Sequence, residues 1–143
     1  MTHPFDFDRF LQTALEEFSC QTGTIHRTAD DGETLELVAH AGVPEALLGK
    51  ITRISFGKGI AGAAAETREP VELCNLQEDL GGVAKPEARS TGVAGSLAVP
   101  VFGPGGEVIG TLGIGKYVPY EFSDDEKARL AAHAERLARR IAL

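Results

Sequence analysis

The chain has 143 residues, a length that suits one domain, with 21 acidic against 14 basic side chains and a formal net charge of −7. An acidic surface disfavours the phosphate backbone of a nucleic acid and the anionic face of a membrane as partners. Hydrophobic residues make up 43% and charged residues 24%, as in ordinary soluble globular domains, and no window reaches about 18 uninterrupted apolar residues, so a cytoplasmic chain is expected.

From the N-terminus, Phe7, Leu11, Ala14 and Phe18 recur at helical spacing, with Phe10 and Leu15 beside them. They predict a first helix over about residues 6–18 whose apolar face packs on a sheet or on a second copy. Cys20 and Cys74 are the two cysteines. Their spacing matches neither a disulfide framework nor a metal motif, and each is expected to be a small buried hydrophobe. Residues 23–28 and 33–40 predict two strands joined through the Asp31–Gly32 step, a strong hairpin signal. Leu35, Leu37 and Ala39 alternate onto one face. His26 and His40 sit symmetrically about that turn. Two imidazoles without a third ligand make a poor metal site, so surface or edge positions are expected for both. Pro44 opens a helical turn over residues 44–50.

Residues 51–56 form a short strand that feeds Gly57, Gly59 and Gly62, and an alanine-rich helix follows over residues 60–67. Glycine serves where φ is positive or where another group approaches the backbone. Gly57-x-Gly59-x-x-Gly62 matches a dinucleotide fingerprint as a string. The antiparallel surroundings, and a length too short for a second βαβ half, exclude that reading. Ala63 follows Gly62 where a phosphate loop has lysine, which excludes that one too. A fourth strand covers residues 71–74. Residues 75–92 have no sustained period and form a connection long enough to suggest a functional role.

Residues 95–102 and 107–116 predict a second hairpin about the turn Gly103–Gly106, with Pro100 marking an edge or a bulge. Gly110, Gly113 and Gly115 leave room for a helix on one face of the sheet or a ligand on the other. Ser123 and Glu126 form a capping box before the last helix, residues 124–142. Leu130, Ala134, Leu137 and Ile141 make a seam that suits a partner helix. The predicted fold is α+β, a single domain over residues 1–143.

Several of these motifs together resemble the GAF domain family. They are Thr24-Ile25-His26 with the Asp–Gly hairpin, Leu35-x-Leu37-Val38-Ala39-x-x-Gly42, and Phe56-Gly57-Lys58-Gly59-Ile60-Ala61-Gly62. Ala98-Val99-Pro100-Val101, Val108-Ile109-Gly110-Thr111-Leu112 and Phe122-Ser123 complete the pattern over about residues 6–142. The resemblance implies a GAF-like, PAS-related six-stranded antiparallel sheet with helices on both faces. It also implies a pocket between the sheet and the helices of one face, and terminal helices that pair two subunits.

The free methionine sulfoxide reductase branch carries cysteines where this chain has Ala61 and, in the long loop, about Lys85. The cyclic-nucleotide branch is matched by Lys116, Phe122, Asp125 and Glu126, but Gly115 replaces its asparagine. Bilin attachment needs a Cys beside a His, which neither cysteine has. The expected function is therefore a non-catalytic sensory domain that binds an unknown small molecule, with no cofactor and no metal, and that forms a homodimer through its terminal helices. Candidate ligand-binding residues are Gly59, Cys74, Asn75, Asp79, Thr91 and Ser96. The alternatives are a dimerisation module with no ligand, and a methionine sulfoxide reductase using Cys74.

Overall fold

A computed structural model describes residues 5–74 and 93–141. The element order is α1 (Phe7–Phe18), β1 (Thr22–Thr28), β2 (Thr34–Ala41), α2 (Glu45–Ile51), β3 (Arg53–Ser55), α3 (Gly59–Thr67), β4 (Val71–Leu73), β5 (Gly95–Phe102), β6 (Val108–Lys116) and α4 (Asp124–Ile141). The six strands form one antiparallel sheet in the order β3-β2-β1-β6-β5-β4. β1 and β6, from opposite ends of the chain, are the central pair.

α1 and α4 cover one face. Asp6 caps α1, its Oδ1 accepting the Arg9 N–H at 3.0 Å. Ser123 and Glu126 cap α4 reciprocally: the Glu126 N–H donates to Ser123 Oγ at 3.1 Å and the Ser123 N–H to Glu126 Oε1 at 2.9 Å. Leu11, Leu15 and Phe18 of α1 meet Ile25, Leu97, Val99, Leu112 and Ile114 of the sheet in one core. Leu130, Ala134, Leu137 and Ile141 are buried in that same core. Their spacing therefore reports packing inside the chain and not a contact with a second copy.

Two expectations change. A register shift between Ile25 and His26 pairs Ile25 with Ala39 but His26 with Leu37. This bulge puts Leu35 and Leu37 on the face opposite Ala39, because an extra residue inverts the alternation. The two histidines also lie apart: His40 pairs with Thr24 and is exposed as expected, whereas His26 pairs with Leu37 and, against expectation, is only 1% exposed. Pro100 meets its expectation twice over. β4 pairs only as far as Ala98, so the strand is an edge at Pro100, and the β5–β6 register shifts just beyond, between Val101 and Phe102.

The second face carries α2 and α3. The glycine corner is a hydrogen-bonded turn: the Gly57 N–H donates to Gly62 O at 2.7 Å, and the Lys58 N–H to Ser55 O at 3.0 Å. Gly57 and Gly59 have φ of +87° and +66°. A Cβ on Gly62 would stand 2.5 Å from Ser55 O. Here glycine lets α3 leave against the end of β3, and two of the corner's N–H groups are already taken.

Candidate functional site: a recess between the sheet and the α2–α3 face

A cavity of about 160 Å³ opens on the α2–α3 face. Its floor is built by register. Thr22 of β1, Gly115 of β6 and Ser96 of β5 lie in one row across the three strands, and Thr24, Gly113 and Ala98 in the next. Directly opposite residues share a face, so six small residues, two of them glycine, form the floor. A Cβ on Gly115 would lie 2.5 Å from Thr22 Oγ1 and 2.9 Å from Val93 Cγ1, and one on Gly113 would lie 3.2 Å from Thr24 Oγ1. The glycines thus leave room for the two threonines. The walls are apolar: Val43 after β2, Ile51 at the end of α2, Ile60 and Ala61 in the first turn of α3, and Val93.

The polar groups of the floor are hydroxyls. Thr22 is 6% exposed, and among the described residues the side chains of Thr22, Thr24 and Ser96 make no hydrogen bond. No charged side chain lines the recess among the described residues. Thr22 is buried and Thr24 and Ser96 are half-buried, and all three line the recess, so their hydroxyls are open to a molecule that hydrogen-bonds there.

In the next row on the same face, His26 and Thr111 are paired, each 1% exposed. His26 Nε2 donates to Ile51 O at 2.9 Å, which leaves Nδ1 as an acceptor. Neither Nδ1 nor Thr111 Oγ1 has a partner among the described residues. Burial pushes the His26 pKa down, opposed by the bond to Ile51. The imidazole is therefore kept neutral beside a residue whose side chain walls the recess.

Of the residues expected at the site, Ser96 lines the recess. Gly59 immediately precedes Ile60 and Ala61, which do so. Cys74 is exposed beyond the end of β4, one residue past Leu73, the partner of Ser96, and its carbonyl accepts the Tyr120 N–H at 2.9 Å. Asn75, Asp79 and Thr91 lie outside the described residues. Thr22, Thr24, Gly113 and Gly115 were not among the candidates; their signal is small and polar residues at a period of two on strands 90 positions apart in sequence.

The cyclic-nucleotide matches are committed elsewhere. Lys116 Nζ donates to Phe18 O at 2.6 Å and Ser19 O at 3.1 Å, closing the C-terminus of α1. Tyr120 Oη donates to the Glu126 carboxylate at 2.8 Å, and Phe122 is buried in the α1–α4 core. Cys20 is half-buried, and burial pushes its thiol up to about 11, so it is no thiolate at neutral pH. No group of three or more metal-ligating side chains occurs among the described residues.

The family model described as GAF domain matches residues 7–142. Among solved structures, the GAF domain of a phosphoenolpyruvate-protein phosphotransferase from Coxiella burnetii is 25% identical at a TM-score of 0.80, covering 94% of this chain and 79% of that one. A type II free methionine-R-sulfoxide reductase from Thermoplasma acidophilum is 20% identical at a TM-score of 0.75, covering 94% and 88%. An NreA protein from Staphylococcus aureus, mutated in its nitrate-binding site, is 21% identical at a TM-score of 0.70, covering 88% and 94%. Comparison with curated protein sequences found no match.

Proposed function

The chain belongs to the GAF domain family, and from that premise we propose that it is a non-catalytic sensor whose recess binds a small uncharged molecule. The observation that carries this reading is the two adjacent rows that bring the hydroxyls of Thr22, Thr24 and Ser96 together on a floor otherwise of glycine and alanine. A cavity of about 160 Å³ is of the size that accepts a single benzene-sized molecule. Its apolar walls disfavour an ion, which would lose hydration with no opposite charge to meet it. The nitrate site of the NreA relative and the substrate of the reductase relative belong to those proteins; the hydroxyl floor here calls for a neutral donor–acceptor group.

Catalysis has little support. The half-buried Cys20 thiol is held protonated, and Cys74 stands outside the recess lining. Signalling has a short path. A Cβ on Gly23 would meet Leu15 Cδ2 at 2.8 Å and Leu11 Cδ1 at 2.9 Å, so α1 rests on the back of the strand that floors the recess. Occupancy of one face then bears on the terminal helix of the other.

Native mass spectrometry and calorimetry test the reading, with phenol and benzoate as matched neutral and anionic probes for the recess. Phenol is expected to bind, and Thr22→Val and Ser96→Ala are each expected to weaken it by about two- to tenfold, the value of one neutral hydrogen bond. Protein that carries no small molecule in any preparation, and takes up no neutral probe, would overturn the reading.

A further inference from the structure

A second cavity lies between α1 and α4, on the face of the sheet away from the recess. Its volume is about 490 Å³, and Phe5, Phe10, Arg9, His133, Arg136 and Arg140 line it. Residues 136 and 140 share one face of α4, as do 6, 9 and 13 on α1, so two antiparallel helices turn three guanidiniums into one cleft.

Two of these arginines are held in place by aromatic side chains. Arg140 stacks on the Phe5 ring at 5.0 Å. Arg136 Nη2 donates to His133 Nδ1 in a short contact. His133 is 8% exposed and donates from Nε2 to Glu17 Oε1 at 3.0 Å. The one carboxylate lining the cleft, Asp6, is engaged as the α1 cap by the Arg9 backbone N–H at 3.0 Å. Among the described residues, Arg9, Arg136 and Arg140 form no ion pair with a carboxylate. Arg27, Arg68 and Arg139 likewise form none among the described residues, whereas Arg53 pairs with Glu36 at 3.4 Å, Lys127 with Glu72 at 2.9 Å and Arg129 with Asp125 at 3.0 Å.

The bland account is that basic residues complement the C-terminal dipole of α4. That dipole amounts to about half a charge, and three guanidiniums exceed it. Arg9, Arg136 and Arg140 are exposed, so water screens their mutual repulsion, and an anion seated among them adds a favourable interaction. Guanidinium forks match carboxylate and phosphate oxygens, and the Phe5 and Phe10 rings offer an apolar wall beside them.

We propose that this cleft is a second binding site, for a small organic oxyanion with an apolar body, held at its charged end by Arg9, Arg136 and Arg140 and along its body by Phe5 and Phe10. Stacking on Phe5 and the bond to His133 position the Arg140 and Arg136 forks before the ligand arrives, which lowers the ordering cost of binding.

The test titrates the whole chain with benzoate, acetate and inorganic phosphate, by calorimetry and by NMR of the arginine Nε–H resonances. Benzoate is expected to bind saturably and more tightly than either other probe, with Arg136 and Arg140 resonances moving. Arg136→Gln and Arg140→Gln should each weaken it by about tenfold or more, as for a charge-assisted hydrogen bond. Arg136→Lys, which keeps the charge but loses the fork, should fall between. Ser96→Ala, in the other cavity, should leave benzoate unchanged. The proposal is overturned by the absence of saturable benzoate binding, by acetate or phosphate binding as tightly, or by affinity that survives both glutamine variants in folded protein.

Discussion

Lys116→Met removes a buried ammonium while keeping most of its apolar stem. In the native chain Nζ sits 2.6 Å from Phe18 O and 3.1 Å from Ser19 O, and 4.5 Å from the centre of the Tyr120 ring. These carbonyls end α1, where helix acceptors have no partner of their own. Two charge-assisted bonds contribute about 1.5–3 kcal/mol each, and a desolvated cation–π contact about 2 more. Desolvation of an ammonium 8% exposed offsets several kcal/mol of that. The net cost of the substitution is therefore about 2–3 kcal/mol. At about 2–4 °C per kcal/mol for a chain near this size, Tm should fall by roughly 4–12 °C. Urea denaturation followed by circular dichroism gives the free energy. Hydrogen exchange should show faster opening at residues 18–21, with the centre of α4 unaffected. A Lys116→Met protein as stable as the parent would refute the reasoning, since desolvation would then outweigh the bonds.

His26 gives a pH dependence of definite sign. Its folded pKa lies below the ordinary value of 6.5, so the unfolded chain binds the proton more readily. Stability is then full above about pH 6.5 and declines as pH falls toward the folded pKa; urea midpoints between about pH 7 and pH 5 should drop less for His26→Gln than for the parent. Gly115→Ala puts a Cβ 2.5 Å from Thr22 Oγ1 and should cost about 1–3 kcal/mol by overpacking while closing the floor of the recess to phenol; unchanged stability and phenol affinity would contradict the floor described here. Incubation with free methionine sulfoxide and a thiol reductant should yield no methionine above the level of a Cys20→Ser, Cys74→Ser double variant, as judged by chromatography; thiol-dependent turnover in the parent alone would make the chain an enzyme.

The parts legible in the sequence are those whose cause is local. The β5–β6 hairpin, the capping box at Ser123 and the glycine corner each depend on a few adjacent residues, and each lies where expected. The α4 seam was legible as a seam but not as to its partner, because periodicity reports a buried face and not what covers it. The bulge beside His26 has no composition signal, so the break in phase between Leu37 and Ala39 is not legible, and the burial of His26 depends on α2, whose Ile51 carbonyl its ring meets. The recess was the hardest to read. Thr22 and Ser96 become neighbours only through Gly115 between them, and a register across three strands is a tertiary fact.

The stacking of Arg140 on Phe5 places the start of α1 beside the end of α4. The polypeptide enters and leaves the domain at a single corner. Such a unit behaves as a plug: it can be spliced into a surface loop of a host with two short tethers, or permuted by joining the old ends and opening the chain at an exposed hairpin such as Gly103–Gly106. A host attached there would feel any sliding of one helix along the other as a change in the separation of its two tethers, which is a mechanical output that needs no partner subunit.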